Sequence, residues 1–160
     1  MGGVAVIGES VIIGIDPGLK GGIAILPQSG TPQVYPMDDE KLLEIARTYS
    51  QHPGVLVAME KVHAMPAQGV VSQYTFGVQN GFLLGVFAAN ELPVKLIPPQ
   101  TWKKFYGLLK TDKKESIIKA KSLYPGVCLR RNDRCRTDSD GMAEALLIGH
   151  FAKMEIVSLE

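Results

Sequence analysis

Val11-Ile12-Ile13-Gly14-Ile15-Asp16-Pro17-Gly18 is an apolar run that stops on an aspartate and is turned at once by Pro-Gly. Such a run predicts a central strand, broken at Pro17-Gly18, and Gly21-Gly22-Ile23-Ala24-Ile25-Leu26 predicts the returning strand of a hairpin. Asp16 then stands at a strand end. It is either a turn residue capping nearby backbone N–H groups or a carboxylate presented for chemistry. The rest of the chain decides between these by supplying, or failing to supply, other carboxylates.

Gly54-Val55-Leu56-Val57-Ala58-Met59-Glu60 repeats the design, an apolar strand that ends on a carboxylate. A buried parallel strand is almost continuously apolar, so Glu60 marks either its emergence into solvent or a paired functional group. Between the two, residues 33–36 predict a short edge strand with Pro36 at its end, and residues 38–49 a helix whose Asp38, Asp39 and Glu40 suit capping. Residues 61–72 have the character of a long binding loop. Residues 73–90 predict a helix with Phe76, Leu83, Leu84 and Phe87 on its apolar side and Gly77, Gly81 and Gly85 as a smooth stripe. Interior glycines cost about 1 kcal/mol each relative to alanine, so the stripe implies close approach of another backbone, either the protein's own sheet or a second copy. Residues 93–97 predict a parallel strand. Basic helices follow from Thr101 and over residues 111–124, with Trp102, Phe105 and Tyr106 either in the core or free to stack on bases. A polar linker, residues 130–136, leads to a final helix capped by Thr137 or Ser139. The fold class is α/β.

The chain has 160 residues, enough for one domain that buries roughly 70% of its unfolded surface, and the first ten residues are expected to be a frayed leader. Cys128 and Cys135 lack a second cysteine pair or nearby histidines, which argues for free thiols and against structural zinc. The apolar stretch at residues 82–89 is too short to span a bilayer; no targeting signal is evident, and a cytoplasmic protein is expected. Net charge is +1, but residues 101–136 carry +8 and the remainder −7. A basic segment on an acidic body suggests an anionic partner held beside a carboxylate cluster.

That cluster is Asp16, Glu60, Asp140 and Glu144, with Asp138 competing. Asp140 and Glu144 are four apart and share one helix face, where like charges repel unless a cation is shared. Oxygen ligands without histidine or cysteine point to magnesium, with manganese as a substitute. Two such ions about 3.5–4 Å apart perform phosphoryl chemistry, while basic residues hold the rest of a nucleic acid by its phosphates.

Gly14-Ile15-Asp16-Pro17-Gly18, the strand-ending Glu60, the Gln79-Asn80-Gly81 helix and Asp140-Gly141-Met142-Ala143-Glu144-Ala145-Leu146 together resemble the RuvC-type Holliday-junction resolvases, especially short phage-borne members. The resemblance covers residues 11–153. It implies an RNase H-like fold, a five-stranded mixed sheet with the first three strands antiparallel, flanked by α-helices. It further implies a crossover-junction endodeoxyribonuclease that cuts opposing strands symmetrically, with Asp16, Glu60, Asp140 and Glu144 holding two Mg2+ ions. His63, Gln73, Lys103, Lys104, Lys113, Lys114, Arg130 and Arg131 are the matching candidates for DNA contact. A homodimer through the helix bearing Gly77, Gly81 and Gly85 would bring two active sites to one four-way or branched DNA.

The chain departs from the family in two places. Bacterial members commonly space the last acidic pair three apart as two aspartates, which leaves Asp138 and Asp140 both open. They also carry a junction-wedging phenylalanine three residues after the glutamate, where this chain has His63, so a wedge falls to Met65 or Tyr74. Competing readings are a broader branched or flap endonuclease, a non-catalytic junction-binding protein without need of metal carboxylates, and an actin-like ATPase, which needs two such domains.

Overall fold

The computed structural model of the protein describes residues 9–63 and 69–158. The expected leader, but for its last two residues, and the wedge candidate Met65 lie outside the described residues. Ten elements follow in the order β1 (Val11–Asp16), β2 (Gly22–Pro27), β3 (Gln33–Pro36), α1 (Asp39–Tyr49), β4 (Val55–Glu60), α2 (Val70–Ala89), β5 (Val94–Ile97), α3 (Pro99–Phe105), α4 (Lys114–Leu123) and α5 (Asp140–Val157). The five strands form one sheet in the order β3-β2-β1-β4-β5. β2 runs antiparallel to both β1 and β3, while β4 pairs parallel with both β1 and β5. This is the mixed, RNase H-like sheet that the resemblance implies.

Period-two alternation divides the sheet into two faces. Val11, Ile13, Ile15, Val57 and Met59 pack with Leu42 and Ile45 of α1 and Leu83 and Phe87 of α2. Ile12 and Ala58 join Trp102, Ala120 and the buried residues of α5 on the other face. Continued by two, the same parity turns Asp16 and Glu60 toward the α5 face. The parallel register pairs Ile15 with Met59, so the two carboxylates end neighbouring strands on one side of the sheet.

α5 is buried from Gly141 to Ala152 on almost every side, as an all-round apolar helix must be. It lies unusually close to the sheet. A Cβ on Gly14 would run into the Ala145 carbonyl, and one on Gly141 into the Lys20 carbonyl. These two glycines let the backbones of α5, β1 and the β1–β2 turn touch, and that contact sets how near the first turns of α5 come to Asp16.

Three local expectations need correction. The loop after β4 ends earlier than residue 72, because α2 starts at Val70 with Gly69 as its N-cap; the valine pair continues the helix instead of prolonging the loop. The second basic helix starts at Lys114 rather than Thr111, since the Asp112 side chain accepts from the Lys114 N–H at 2.9 Å and holds the turn before it. The glycine stripe of α2 does not pack on the sheet. Leu83, Val86 and Phe87 make that contact, Phe76 and Leu84 are only half-buried, and a Cβ at Gly77, Gly81 or Gly85 would meet nothing within 4 Å among the described residues. By contrast Asp38 caps α1 as expected, accepting from Lys41 N–H at 2.8 Å.

Candidate active site

The carboxylates of Asp16, Glu60, Asp140 and Glu144 share one electrostatic neighbourhood at the end of the sheet that faces the first turns of α5. Asp16 is the centre of it. Burial pushes its carboxyl up to about 7 from 3.8; Glu144 and Glu60 push the same way, the Gly18 N–H opposes them, and Asp140 adds to the rise. Its Oδ1 accepts from the Gly18 N–H at 3.4 Å, so the turn role and the placement among carboxylates belong to the same side chain.

Burial also raises Glu60, against the lowering effect of a Trp102 hydrogen bond and of Lys103. Burial is likewise the largest cause of the rise at Glu144, where Lys103 and Ser116 oppose it and Glu60 and Asp140 reinforce it. Charge–charge repulsion among desolvated carboxylates is costly. Lys103 and Lys113 offset part of it.

The two candidates Asp138 and Asp140 stand in different surroundings. Asp138 precedes the helix, is paired with Lys121, and lines a cleft with Val127 and Arg130. Asp140, the first residue of α5 after its Ser139 cap, is the one whose charge reaches Asp16 and Glu144.

Side-chain donors stand against three of these groups. The Trp102 indole donates to Glu60 Oε2 at 2.8 Å, and the Ser116 hydroxyl to Glu144 Oε1 at 3.3 Å. Lys103 lies 3.9 Å from Glu144 and Lys113 3.3 Å from Asp140. Among the described residues no three acidic, histidine or cysteine side chains stand close enough to grip one ion together. The donor chemistry nonetheless suits a hard divalent cation, with oxygen ligands only, partly desolvated and mutually repelling. Magnesium and manganese fit that set; zinc, which favours nitrogen and sulfur, does not.

The candidate DNA contacts divide into groups. Lys103 and Lys113 sit on the carboxylates themselves, while Lys104 and Lys114 are exposed nearby on α3 and α4. Arg131 donates to the Lys20 carbonyl in the β1–β2 turn at 3.3 Å, and Arg130 is exposed beside the Asp138 cleft. His63 and Gln73 line a separate small cleft with Val62, Phe76, Gly77 and Asn80. Among the described residues the Asn80 amide oxygen in this cleft is buried and without a hydrogen-bond partner. Tyr74, the remaining wedge candidate, is 73% exposed. Trp102 and Tyr106 are core residues, which answers the choice between packing and stacking for those two; Phe105 is largely exposed, edge-on to Tyr106 and Phe151. Cys128 and Cys135 are unpaired thiols. No helix among the described residues is long and apolar enough to cross a membrane.

Sequence reasoning missed the Trp102–Glu60 bond and the direct pairing of lysines with the acidic cluster. The signal for the first is the β4–β5 register, which pairs Glu60 with Ile97 and so starts α3 beside Glu60; a register is invisible before the sheet is known.

No family model matches the chain, and no curated protein matches it. Solved structures do. The Thermus thermophilus RuvC structure superposes with a TM-score of 0.58 at 20% identity, covering 91% of this chain and 96% of that one. T. thermophilus RuvC in complex with Holliday junction substrate gives 0.56 at 16% identity, over 90% and 96% of the two chains. At this identity the likeness establishes a shared RNase H-like fold across nearly the whole length of both proteins.

Proposed function

We propose that this protein is a structure-selective endodeoxyribonuclease that resolves four-way DNA junctions, with Asp16, Glu60, Asp140 and Glu144 as the ligands of two Mg2+ ions that Mn2+ can replace. The observation that carries the reading is the convergence of four carboxylates from two strand ends and one helix on Asp16, whose carboxyl is pushed up to about 7 by burial and by the other three. Offset only in part by Lys103 and Lys113, such a cluster is a standing cost to the fold. Oxygen donors gathered in this way suit a hard divalent cation. The neighbouring fold match to a resolvase solved with its junction supports the choice of substrate.

When bound, such ions supply an activated water and stabilise the leaving oxygen of an in-line displacement. The chain's own residues do the rest. Lys103 and Lys113 neutralise Glu144 and Asp140 before substrate arrives. Lys113, 81% exposed on its side chain, exchanges its carboxylate partner for a phosphate oxygen when DNA docks, and Lys104, Lys114, Arg130 and Arg131 extend the phosphate-binding surface. The Asp16–Gly18 turn, closed by a Gly21 N–H to Gly18 carbonyl bond at 2.8 Å, keeps the backbone low beside Asp16 and leaves room for the phosphodiester.

Symmetric cutting requires two sites, and the second copy docks on the open face of α2. Support comes from the unfilled space over Gly77, Gly81 and Gly85 and from exposed Val70, Val71, Tyr74 and Val78 on the same helix.

The test is a cleavage panel with synthetic four-way, flapped and linear duplex DNA, with and without Mg2+. Symmetric, ligatable nicks in the four-way junction only with Mg2+ support the proposal. Equal cleavage of flap and junction would move it to a general branched-DNA nuclease, and metal-dependent binding without any cleavage would refute catalysis.

A further inference from the structure

Trp102 connects the candidate site to the β5–α3 segment in a way that the proposed chemistry has not used. It is the only tryptophan in the chain and is fully buried, and its single polar group, the indole N–H, donates to Glu60 Oε2 at 2.8 Å. The Lys103 ammonium lies over its ring at 5.1 Å and within 3.9 Å of Glu144. One side chain thus touches two charged groups of the cluster.

The segment that carries it is fixed at both ends. Before α3, the Lys61 N–H donates to the Ile97 carbonyl at 2.8 Å, so Glu60's own backbone is tied to the strand that leads into α3. After α3, the Tyr106 hydroxyl lies 2.6 Å from His150 Nδ1 of α5. A buried indole N–H has one donor and no alternative partner; leaving it unpaired forfeits its full desolvation cost. Glu60 therefore cannot turn both oxygens away from Trp102 without penalty. Oε2 is held, so a cation bound by Glu60 would meet a carboxylate of fixed orientation.

Resting on the metal-site reading above, we propose that Trp102 is a positioning residue that pins one oxygen of Glu60 and the Lys103 ammonium, and that its fluorescence reports occupancy of the site. Hydrogen-bonding partners of metal ligands typically contribute about 10–100-fold in metal affinity, and a neutral N–H on one oxygen belongs at the lower end.

The test compares wild type with Trp102→Phe, which keeps an aromatic ring and removes the donor. Calorimetric titration with Mn2+ is expected to give about tenfold weaker binding in the variant, with the circular-dichroism spectrum and metal-free junction binding unchanged. In wild type, Mg2+ is expected to shift the indole emission saturably, with the same midpoint as the heat of binding. A folded Trp102→Phe that binds Mn2+ within twofold of wild type overturns the proposal. If the variant does not fold, the wild-type emission decides: a shift that tracks the heat supports the role, and an unchanged spectrum at saturating Mg2+ overturns it. Failure of wild type to bind any divalent ion would bring down the metal-site reading itself, and with it this proposal, before the variant is compared.

Discussion

Replacing Asp16 by asparagine should abolish cleavage and at the same time stabilise the metal-free protein. The folded state holds the Asp16 carboxyl up at about 7 against 3.8 in the unfolded chain. A raised carboxylate pKa means that the unfolded state loses its proton first, so stability falls as pH rises from about 4 and stops falling above about 7. At about 1.4 kcal/mol per pH unit over about three units, the full cost is about 4 kcal/mol. The side chain retains some solvent contact, and screening there trims the figure to about 2–3 kcal/mol. Asparagine is nearly isosteric and its Oδ1 still accepts from the Gly18 N–H, so it removes the charge with little else. Urea unfolding in EDTA should therefore show Asp16→Asn about 2–3 kcal/mol more stable than wild type at pH 8, with the gap closing toward pH 4. Adding Mg2+ should reverse the order, because bound ions stabilise only the protein that holds them. A variant that is less stable than wild type at pH 8 without metal, or a gap independent of pH, would refute the reasoning.

Other consequences are equally specific. Lys113→Ala should weaken junction binding and reduce the slope of log affinity against log salt by about 1, measured by fluorescence anisotropy at several salt concentrations; an unchanged slope would remove Lys113 from the phosphate surface. Gly81→Arg should leave the circular-dichroism spectrum intact, since a Cβ there meets nothing within 4 Å among the described residues, yet convert a dimer at micromolar concentration to a monomer by analytical ultracentrifugation. Gly14→Ala should cost about 3 kcal/mol or more by urea unfolding, because its methyl collides with backbone atoms of α5 that cannot move aside; a cost below about 1 kcal/mol would mean that α5 shifts freely on the sheet.

Much of the fold was legible because its strands are short, apolar and stopped by unambiguous breakers. Asp16 before Pro17-Gly18 and Glu60 after Met59 both sit at strand ends, although only the Ile15–Met59 register puts them on one face. Helix starts were less legible where the signal was weak. Val70 and Val71 follow a Gly69 cap that has no side chain to bond the helix N–H groups, and Lys114 follows a turn whose Asp112 resembles ordinary polar sequence. The stripe on α2 was readable as smooth, but whether it met the sheet depended on the rotation of the helix about its axis. Leu83 and Phe87 fix that rotation only once their neighbours are known. The same holds for the acidic helix: spacing placed Asp140 and Glu144 on one face, whereas the pairing of Asp138 with Lys121, seventeen residues away, carried no signal in the sequence. Contacts that bridge distant segments, such as Trp102 to Glu60, carry no periodic signature at all.

The central claim is that the carboxylates gathered on Asp16 cut branched DNA with bound divalent ions. The most direct measurement is Mg2+-dependent cleavage of a synthetic four-way junction by wild type and Asp16→Asn side by side, with junction binding measured on the same samples. The account predicts paired symmetric cuts by wild type and undiminished binding without cutting by the variant. Cleavage by Asp16→Asn at the wild-type rate would contradict it.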